Sequence, residues 1–237
     1  MMAVTWDILR YDTVDSTNNV CKALAAQGLD STAVIARAQT AGKGRLYLSA
    51  LWQDCPAGQL LTVTPLAAVA VCRAVESLCD TDCGIKWCND VVLHGKKLCG
   101  ILTESSLLPD GSAAWLVVGI GVNVGQASFP PDIADMATSL ALQELDVSPD
   151  ALADAILAQL TAMRTVLTDP AEWLAEYRRR CVNLGRPVRV LRGNTVRQAT
   201  ALAIDEQFGL TVQYENGETE TVRSGEVSVR GLYGYIE

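Results

Sequence analysis

GIKWCNDVVLHGKKLCGILTESSLLPDGSAAWLVVGIGVNV, residues 84–124, is the stretch that decides the fold class. Apolar residues gather there in short runs at 84–87, 91–93, 97–106 and 114–124, which predicts four strands. Asn89-Asp90 turns the chain between the first two runs, and His94 stands beside Gly95 in the next turn. Asp110-Gly111 is a hairpin turn between the last two runs.

Working outward, residues 6–11 read as a short strand and Asp15-Ser16-Thr17-Asn18 as a cap-rich turn. A helix over 19–27 ends at Gly28, and 33–38 reads as a strand. Residues 39–58 form a long irregular stretch with Gly42, Gly44, Pro56 and Gly58, and loops of that length in a compact domain are usually functional or mobile. Residues 59–64 read as a buried strand, and 65–79 as a helix with Pro65 at or near its first turn. Downstream, 126–139 is loop, and helices over 149–167 and 170–181 join at Thr168-Asp169-Pro170. Five short strands follow at 188–191, 195–204, 210–214, 218–223 and 227–229, with turns at Gly193-Asn194 and Asn216-Gly217. Five strands in so short a segment predict a small β-barrel-like module. The fold class is therefore α+β: a body over residues 1–183 with a mixed sheet and helices, and an all-β tail over 184–237.

Composition narrows the function. Apolar residues make up 49% of the 237, enough for a core, but only 5% are aromatic, so that core leans on Ala, Val, Leu and Ile. A net charge of −8 disfavours nucleic acid as a partner. No apolar stretch is long and charge-free enough to span a membrane, and the first residues lack a signal-peptide pattern, so the cytoplasm is expected. The eight cysteines include no C-x2-C pair and the single histidine is His94, which argues against zinc, c-type haem and His-dependent nucleophile schemes. The cysteines read as small buried hydrophobes in a reducing compartment.

Lysine is scarce: Lys22, Lys43, Lys86, Lys96 and Lys97, against fourteen arginines. Four of the five lie in two short Gly-rich segments. There a compact point charge suits an anion in a way the planar guanidinium does not, although solvated loops would show the same pattern. The first segment is Gln39-Thr-Ala-Gly-Lys-Gly-Arg45, whose glycines let backbone N–H groups approach a phosphate; its spacing is not that of a Walker A loop. The second holds Lys86-Trp-Cys-Asn-Asp90 and Lys97-Leu-Cys-Gly-Ile-Leu-Thr-Glu104. Lys97 opens an apolar strand, a poor place for a charge unless it meets an anion or snorkels to solvent. Trp87 is either core or a stacking face, and Asp90 either a turn-former or a ligand of Mg²⁺. A third, Gly119-Ile-Gly-Val-Asn123, puts glycines in a strand, which marks a bulge or close approach of backbone to a ligand.

In order and spacing these segments resemble the biotin–protein ligase family over nearly the whole chain. Asp15-Ser-Thr-Asn18 is similar to the family's early biotin-site turn, and Gln39-x-Ala-Gly-Lys-Gly-Arg45 to its adenylate loop. Lys86-Trp-Cys-Asn-Asp90 resembles K-W-P-N-D, residues 97–104 resemble K-x-x-G-I-L-x-E, and Gly119-Ile-Gly-Val-Asn123 resembles G-I-G-x-N. Ser224-Gly-Glu-Val-Ser-Val-Arg230 resembles the end of the family's SH3-like β-barrel C-terminal domain. The loop departs from the family's G-R-G-R-R-G-R-x-W: Lys43 replaces an arginine, a glycine and an arginine are missing, and Trp52 comes two residues late. Cys88 replaces a proline.

The resemblance implies site roles. Biotin would be bound by Ser16, Thr17, Gln39, Gly42, Arg45, Lys97 and Gly121. The nucleotide would be bound by Lys43, Arg45, Trp52, Asn89, Lys97 and Asn123, with Gly121 also lining its side of the pocket. Lys97, Arg45 and Asp90 would serve catalysis, Asp90 as the Mg²⁺ residue. It implies ATP and Mg²⁺, biotin as substrate, and a biotin carboxyl carrier protein as partner, in a short form without a DNA-binding domain, monomeric or homodimeric. Two other readings stay open: a lipoate or octanoate transferase, and a non-catalytic biotin-binding homologue.

Overall fold

Side-chain alternation along the central strands gives the main sheet two unlike faces, and the site grows from that difference. The computed structural model describes residues 5–39, 45–56, 58–223 and 228–231. Strand β1 (Asp7–Val14), helix α1 (Thr17–Ala25) and strand β2 (Thr32–Gln39) form a crossover unit whose strands pair in parallel. Strand β3 (Arg45–Cys55) returns antiparallel beside β2. The run that opened the sequence reading forms β4 (Gly84–Lys86), β5 (Asp90–Leu93), β6 (Lys96–Leu107) and β7 (Ala113–Asn123). The sheet order is β1-β2-β3-β7-β6-β5-β4. Its turns carry the backbone their residues favour: His94 and Gly95 have φ of 47° and 77°, and Gly111 has φ of 82°.

Two sequence expectations are corrected. Residues 45–55 are not irregular but a central strand, paired to β2 on one side and β7 on the other. Covered on both faces, it reads as a near-continuous apolar run without clean alternation. Residues 59–64 are not a strand; they open helix α2 (Leu60–Glu76), which contains Pro65. A short apolar run fits either structure, and the Ala-rich residues beyond Pro65 propagate the helix back through it.

One face of the sheet is buried by α2 with helices α3 (Pro149–Thr165) and α4 (Ala171–Arg180). Leu46, Leu48, Ala50 and Trp52 project there from β3 and are 0–2% exposed. Helix α2 is apolar almost all round, as a helix wrapped by other elements must be. Helix α3 starts with Ser148 accepting from Ala151 N–H at 3.5 Å and Pro149 in its first turn. Among the described residues the opposite face carries only α1, over the small cluster Cys21, Ala25, Val34, Leu51 and Val117, and the rest of that face is open.

Strands β8 (Pro187–Arg192), β9 (Thr195–Ile204), β10 (Leu210–Tyr214), β11 (Thr219–Val222) and β12 (Ser228–Gly231) form a second sheet in the order β11-β10-β9-β8-β12. This is the expected SH3-like module, open rather than closed between β11 and β12 among the described residues. Its inward residues, among them Val188, Leu210 and Val212, join the main core. Among the described residues no helix is long and apolar enough to cross a membrane.

Candidate functional site

Where α1 stops covering the sheet, a cavity of about 380 Å³ opens over the middle of β3, β7 and β6. Its floor is made of residues two apart: Tyr47 on β3, Gly119 and Gly121 on β7, Gly100 and Leu102 on β6. Alternation places them on one face, and the glycines keep that face hollow. At Gly119 the requirement is steric: a Cβ there would stand 2.8 Å from Asn18 Cγ and closer still to its Oδ1. At Gly121 the nearest atom to such a Cβ is Gly100 O at 3.9 Å, so the space above it is empty.

One end of the cavity is a set of neutral hydrogen-bonding groups from the start of α1 and the end of β2. Ser16 is the N-cap of α1 without a capping side-chain bond, and it borders the cavity with Thr17, Asn18 and Gln39. Thr17 and Asn18 are 3% and 6% exposed, so each needs partners. Gln39 Nε2 donates to Thr17 Oγ1 at 3.2 Å. The buried Ser49 hydroxyl lies 2.7 Å from Thr17 Oγ1 and 2.6 Å from Asn18 Oδ1. Asn18 Nδ2 donates to Glu104 Oε2 at 2.7 Å, and Lys22 Nζ to Glu104 Oε1 at 2.9 Å. The Lys22 ammonium, then the Asn18 amide, hold the Glu104 carboxyl below the usual carboxylate range.

The other end is cationic. Lys97 Nζ pairs with Asp90 Oδ1 at 2.5 Å, and Lys86 Nζ stands 3.7 Å from Asp90 Oδ2. These three groups sum to one positive charge. Gly100 makes the arrangement possible, since a Cβ there would lie 3.1 Å from Lys97 Cε and Nζ. The turn over 86–90, with a cis Trp87–Cys88 peptide, is clamped from behind. Trp87 N–H donates to Asn183 Oδ1 at 2.7 Å, its indole N–H to Phe208 O at 2.9 Å, and Tyr177 O–H to Cys88 O at 3.2 Å. Trp87 is 4% exposed and belongs to the core. Asn89, also at the cavity, donates to Ile101 O at 2.8 Å.

Of the residues expected at a site, the structure brings Ser16, Thr17, Gln39, Asn89, Asp90, Lys97 and Gly121 around this one cavity. Asn123 is close but buried; its amide donates to Thr138 O at 2.9 Å and Lys97 O at 3.4 Å, tying β6 to the segment after β7. Arg45 pairs in register with Asn123 and lines a separate cavity of about 470 Å³ with Arg37, Val124 and Leu145. Gly42 and Lys43 lie outside the described residues, as do Ser224 to Val227 of the last motif. Trp52 is a correction: it is 2% exposed on the far face, its ring 6.1 Å edge-on from Trp6 with Arg164 over it at 5.3 Å. It stands an odd offset, five positions, along the strand from Tyr47, and strand parity sends it to the core.

Sequence reasoning assigned no role to Tyr47, Asn18, Ser49 or Glu104. Parity on β3 would have found Tyr47 and Ser49, had 45–55 been read as a strand, and parity on β6 puts Glu104 on the face of Gly100 and Leu102. His94 sits in the β5–β6 turn, 2.6 Å from Gln143 Oε1. All eight cysteines are unbridged; burial pushes the Cys21 thiol up to about 12 and Cys181 to about 11, as inert packing groups. The Asp90 carboxylate, the group expected at Mg²⁺, is engaged by the Lys97 and Lys86 ammonium groups. The arrangement suits a ligand with a neutral polar head, a middle lying on glycine, and an anionic end at Lys97.

Residues 11–123 match the Biotin/lipoate A/B protein ligase family, and residues 184–230 match the Biotin protein ligase C terminal domain. A biotin–[acetyl-CoA-carboxylase] ligase of Mycobacterium tuberculosis is 33% identical over 236 residues, covering 90% of this chain and 85% of that protein. The bifunctional ligase/repressor BirA of Bacillus spizizenii is 36% identical over 149 residues, covering 56% of this chain; the match spans 46% of that relative's length, less than half. The biotin protein ligase of Aquifex aeolicus in complex with biotin and ATP superposes with a TM-score of 0.80 at 26% identity, over 95% of this chain and 99% of that one.

Proposed function

The chain belongs to the biotin–protein ligase family, and we propose that it activates biotin with ATP to biotinyl-5′-AMP and passes the biotinyl group to a lysine of a biotin carboxyl carrier protein. One observation carries the reading: a single cavity joins the Ser16, Thr17 and Gln39 end to the Lys97 ammonium across a glycine floor. Ser16, Thr17 and Gln39 take the polar ring of biotin, Gly121 leaves room for it, and Lys97 meets its carboxylate. Asn89, and Asn123 behind Lys97, serve the nucleotide end. Arg45, with Gly42 and Lys43 of the same Gly-rich segment, serves the adenylate. Asp90 positions Lys97. The body over 1–183 carries the chemistry, and the tail over 184–237 braces the 86–90 turn.

In the first step a biotin carboxylate oxygen attacks the α-phosphorus of ATP and the bond to pyrophosphate breaks. Two anions must approach, so repulsion is a large part of the barrier, and fixed cations at the meeting point lower it without a general base. In the second step a neutral carrier lysine attacks the acyl carbon, the bond to AMP breaks, and the amine proton leaves to solvent. Placement supplies much of that step. Mg²⁺ enters with ATP as part of the substrate. The chemistry belongs in the cytoplasm, with neither nucleic acid nor membrane as partner.

The test is biotin-dependent ATP–pyrophosphate exchange, followed by transfer to a purified carrier domain. Exchange with biotin and none with lipoate is expected. Exchange driven by lipoate, or absent with both, refutes the reading.

A further inference from the structure

Along the line from Glu104 to Thr17, each proton has one place to go. Lys22 Nζ is held by Glu104 Oε1, and Glu104 Oε2 faces Asn18 Nδ2 at 2.7 Å. Asn18 Nδ2 also faces Leu102 O at 3.4 Å. An amide oxygen in that position would oppose a carboxylate and a carbonyl, so the NH₂ group is fixed there and Asn18 Oδ1 points the opposite way. Gly119 leaves the room for it. The Ser49 hydroxyl, fully buried, contacts both Asn18 Oδ1 and Thr17 Oγ1. Asn18 Oδ1 has no proton to give, so the single Ser49 proton goes to it. The Thr17 proton must then go to Ser49. Gln39 Nε2 donates to Thr17 Oγ1 as well. Thr17 is left facing the cavity with a lone pair alone.

From this we infer that Glu104 is a positioning residue: through Asn18 and Ser49 it makes the Thr17 hydroxyl an acceptor toward the ligand, so that this end of the cavity selects a head group bearing N–H donors. The inference rests on the function proposed above. The ureido ring of biotin offers two N–H groups, whereas the dithiolane of lipoate offers none. A charged residue acting through Asn18 and Ser49 thus decides which head group is accepted.

Glu104→Gln reverses the relay. Its carbonyl stays on Lys22, its NH₂ faces Asn18, Asn18 turns over, Ser49 sends its proton to Thr17, and Thr17 points a proton at the ureido N–H. Biotin affinity by calorimetry falls by about ten- to a hundredfold, the effect of opposing a donor with a donor, while KM for ATP stays unchanged. Adding Asn18→Asp restores an acceptor-only group next to Ser49, and affinity returns to within about threefold of wild type. Lys22→Met leaves the carboxylate on Asn18 and holds affinity within about threefold as well. A purely structural role for the ion pair predicts the opposite: Lys22→Met as harmful as Glu104→Gln, and the double variant worse than either. Ser49→Ala is an independent arm; the freed Thr17 proton lowers affinity by the same order, and unchanged affinity overturns the relay even if Glu104→Gln does not fold. Wild-type protein that binds no biotin refutes the proposed function itself. Wild type that binds, with Glu104→Gln equal to it or the double variant no better than Glu104→Gln, refutes the relay alone.

Discussion

Replacing Gly119 by alanine tests the site at its most crowded point. The new methyl would lie 2.8 Å from Asn18 Cγ and Nδ2 and closer to Oδ1, whereas non-bonded carbons rest about 3.5–4.0 Å apart. Asn18 must retreat by roughly 0.7 Å or more, and its contacts with Ser49 at 2.6 Å and Glu104 at 2.7 Å cannot both survive. Losing a bond to a charged acceptor costs about 1.5–3 kcal/mol, and overpacking about 1–3 kcal/mol, partly the same energy. Gly119→Ala is therefore expected to destabilise the protein by about 2–4 kcal/mol, or roughly 4–16 °C in Tm for a chain of this size. Gly121→Ala is the control on the same strand and face. Its methyl meets only Gly100 O at 3.9 Å, so thermal stability holds while biotin affinity drops, because the floor of the cavity rises. Melting curves and biotin titrations on both variants decide the matter. A Gly119→Ala protein with wild-type Tm and wild-type biotin binding would show that the Asn18 contacts do not hold this face together.

Lys97→Ala is expected to lower biotin-dependent ATP–pyrophosphate exchange by about 10²–10³-fold, the usual effect of removing one fixed group that stabilises developing charge. Its fold survives, because Lys86 remains 3.7 Å from Asp90 and Lys97 is already 37% exposed; normal exchange rates would remove Lys97 from the chemistry. Trp52→Ala should destabilise by about 3–5 kcal/mol, a core cavity, with KM for ATP unchanged in the folded fraction; a selective rise in that KM would return Trp52 to the nucleotide site. The Lys22 and Asn18 contacts lower the Glu104 pKa below its ordinary 4.5, so their stabilisation is complete above that value and is lost as pH falls through the lower folded value. Urea midpoints of wild type and Glu104→Gln should therefore draw together as the pH falls below 4.5 and through the lower folded value; a gap that persists once the carboxyl is protonated would point to a cause other than ionisation.

The strands over 84–124 were legible because each is short, apolar and bounded by residues whose backbone preference the structure uses, such as His94-Gly95 and Asp110-Gly111. The helices over 149–181 were legible because a proline opens the first, at Pro149, and Thr168-Asp169-Pro170 breaks the chain between the two. Strand β3 was not, since a strand buried on both faces loses its period, and the glycines before it suggested loop throughout. That single error hid Tyr47 and Ser49 and left Trp52 on the wrong face. The opening of α2 was misread because six residues, only three of them apolar, carry no period of their own.

Residue type and order by themselves determined which groups could meet anions: lysine is scarce, placed beside glycine, and unaccompanied by histidine, and local chemistry of that kind does not depend on how the chain is packed. Only the tertiary structure decided which groups face one another. Glu104 and Asn18 are 86 residues apart in sequence, and Asn18 and Ser49 are 31 apart. Strand pairing and parity bring them into one line of hydrogen bonds, because neighbouring strands fix contacts at a distance that no stretch of sequence spells out.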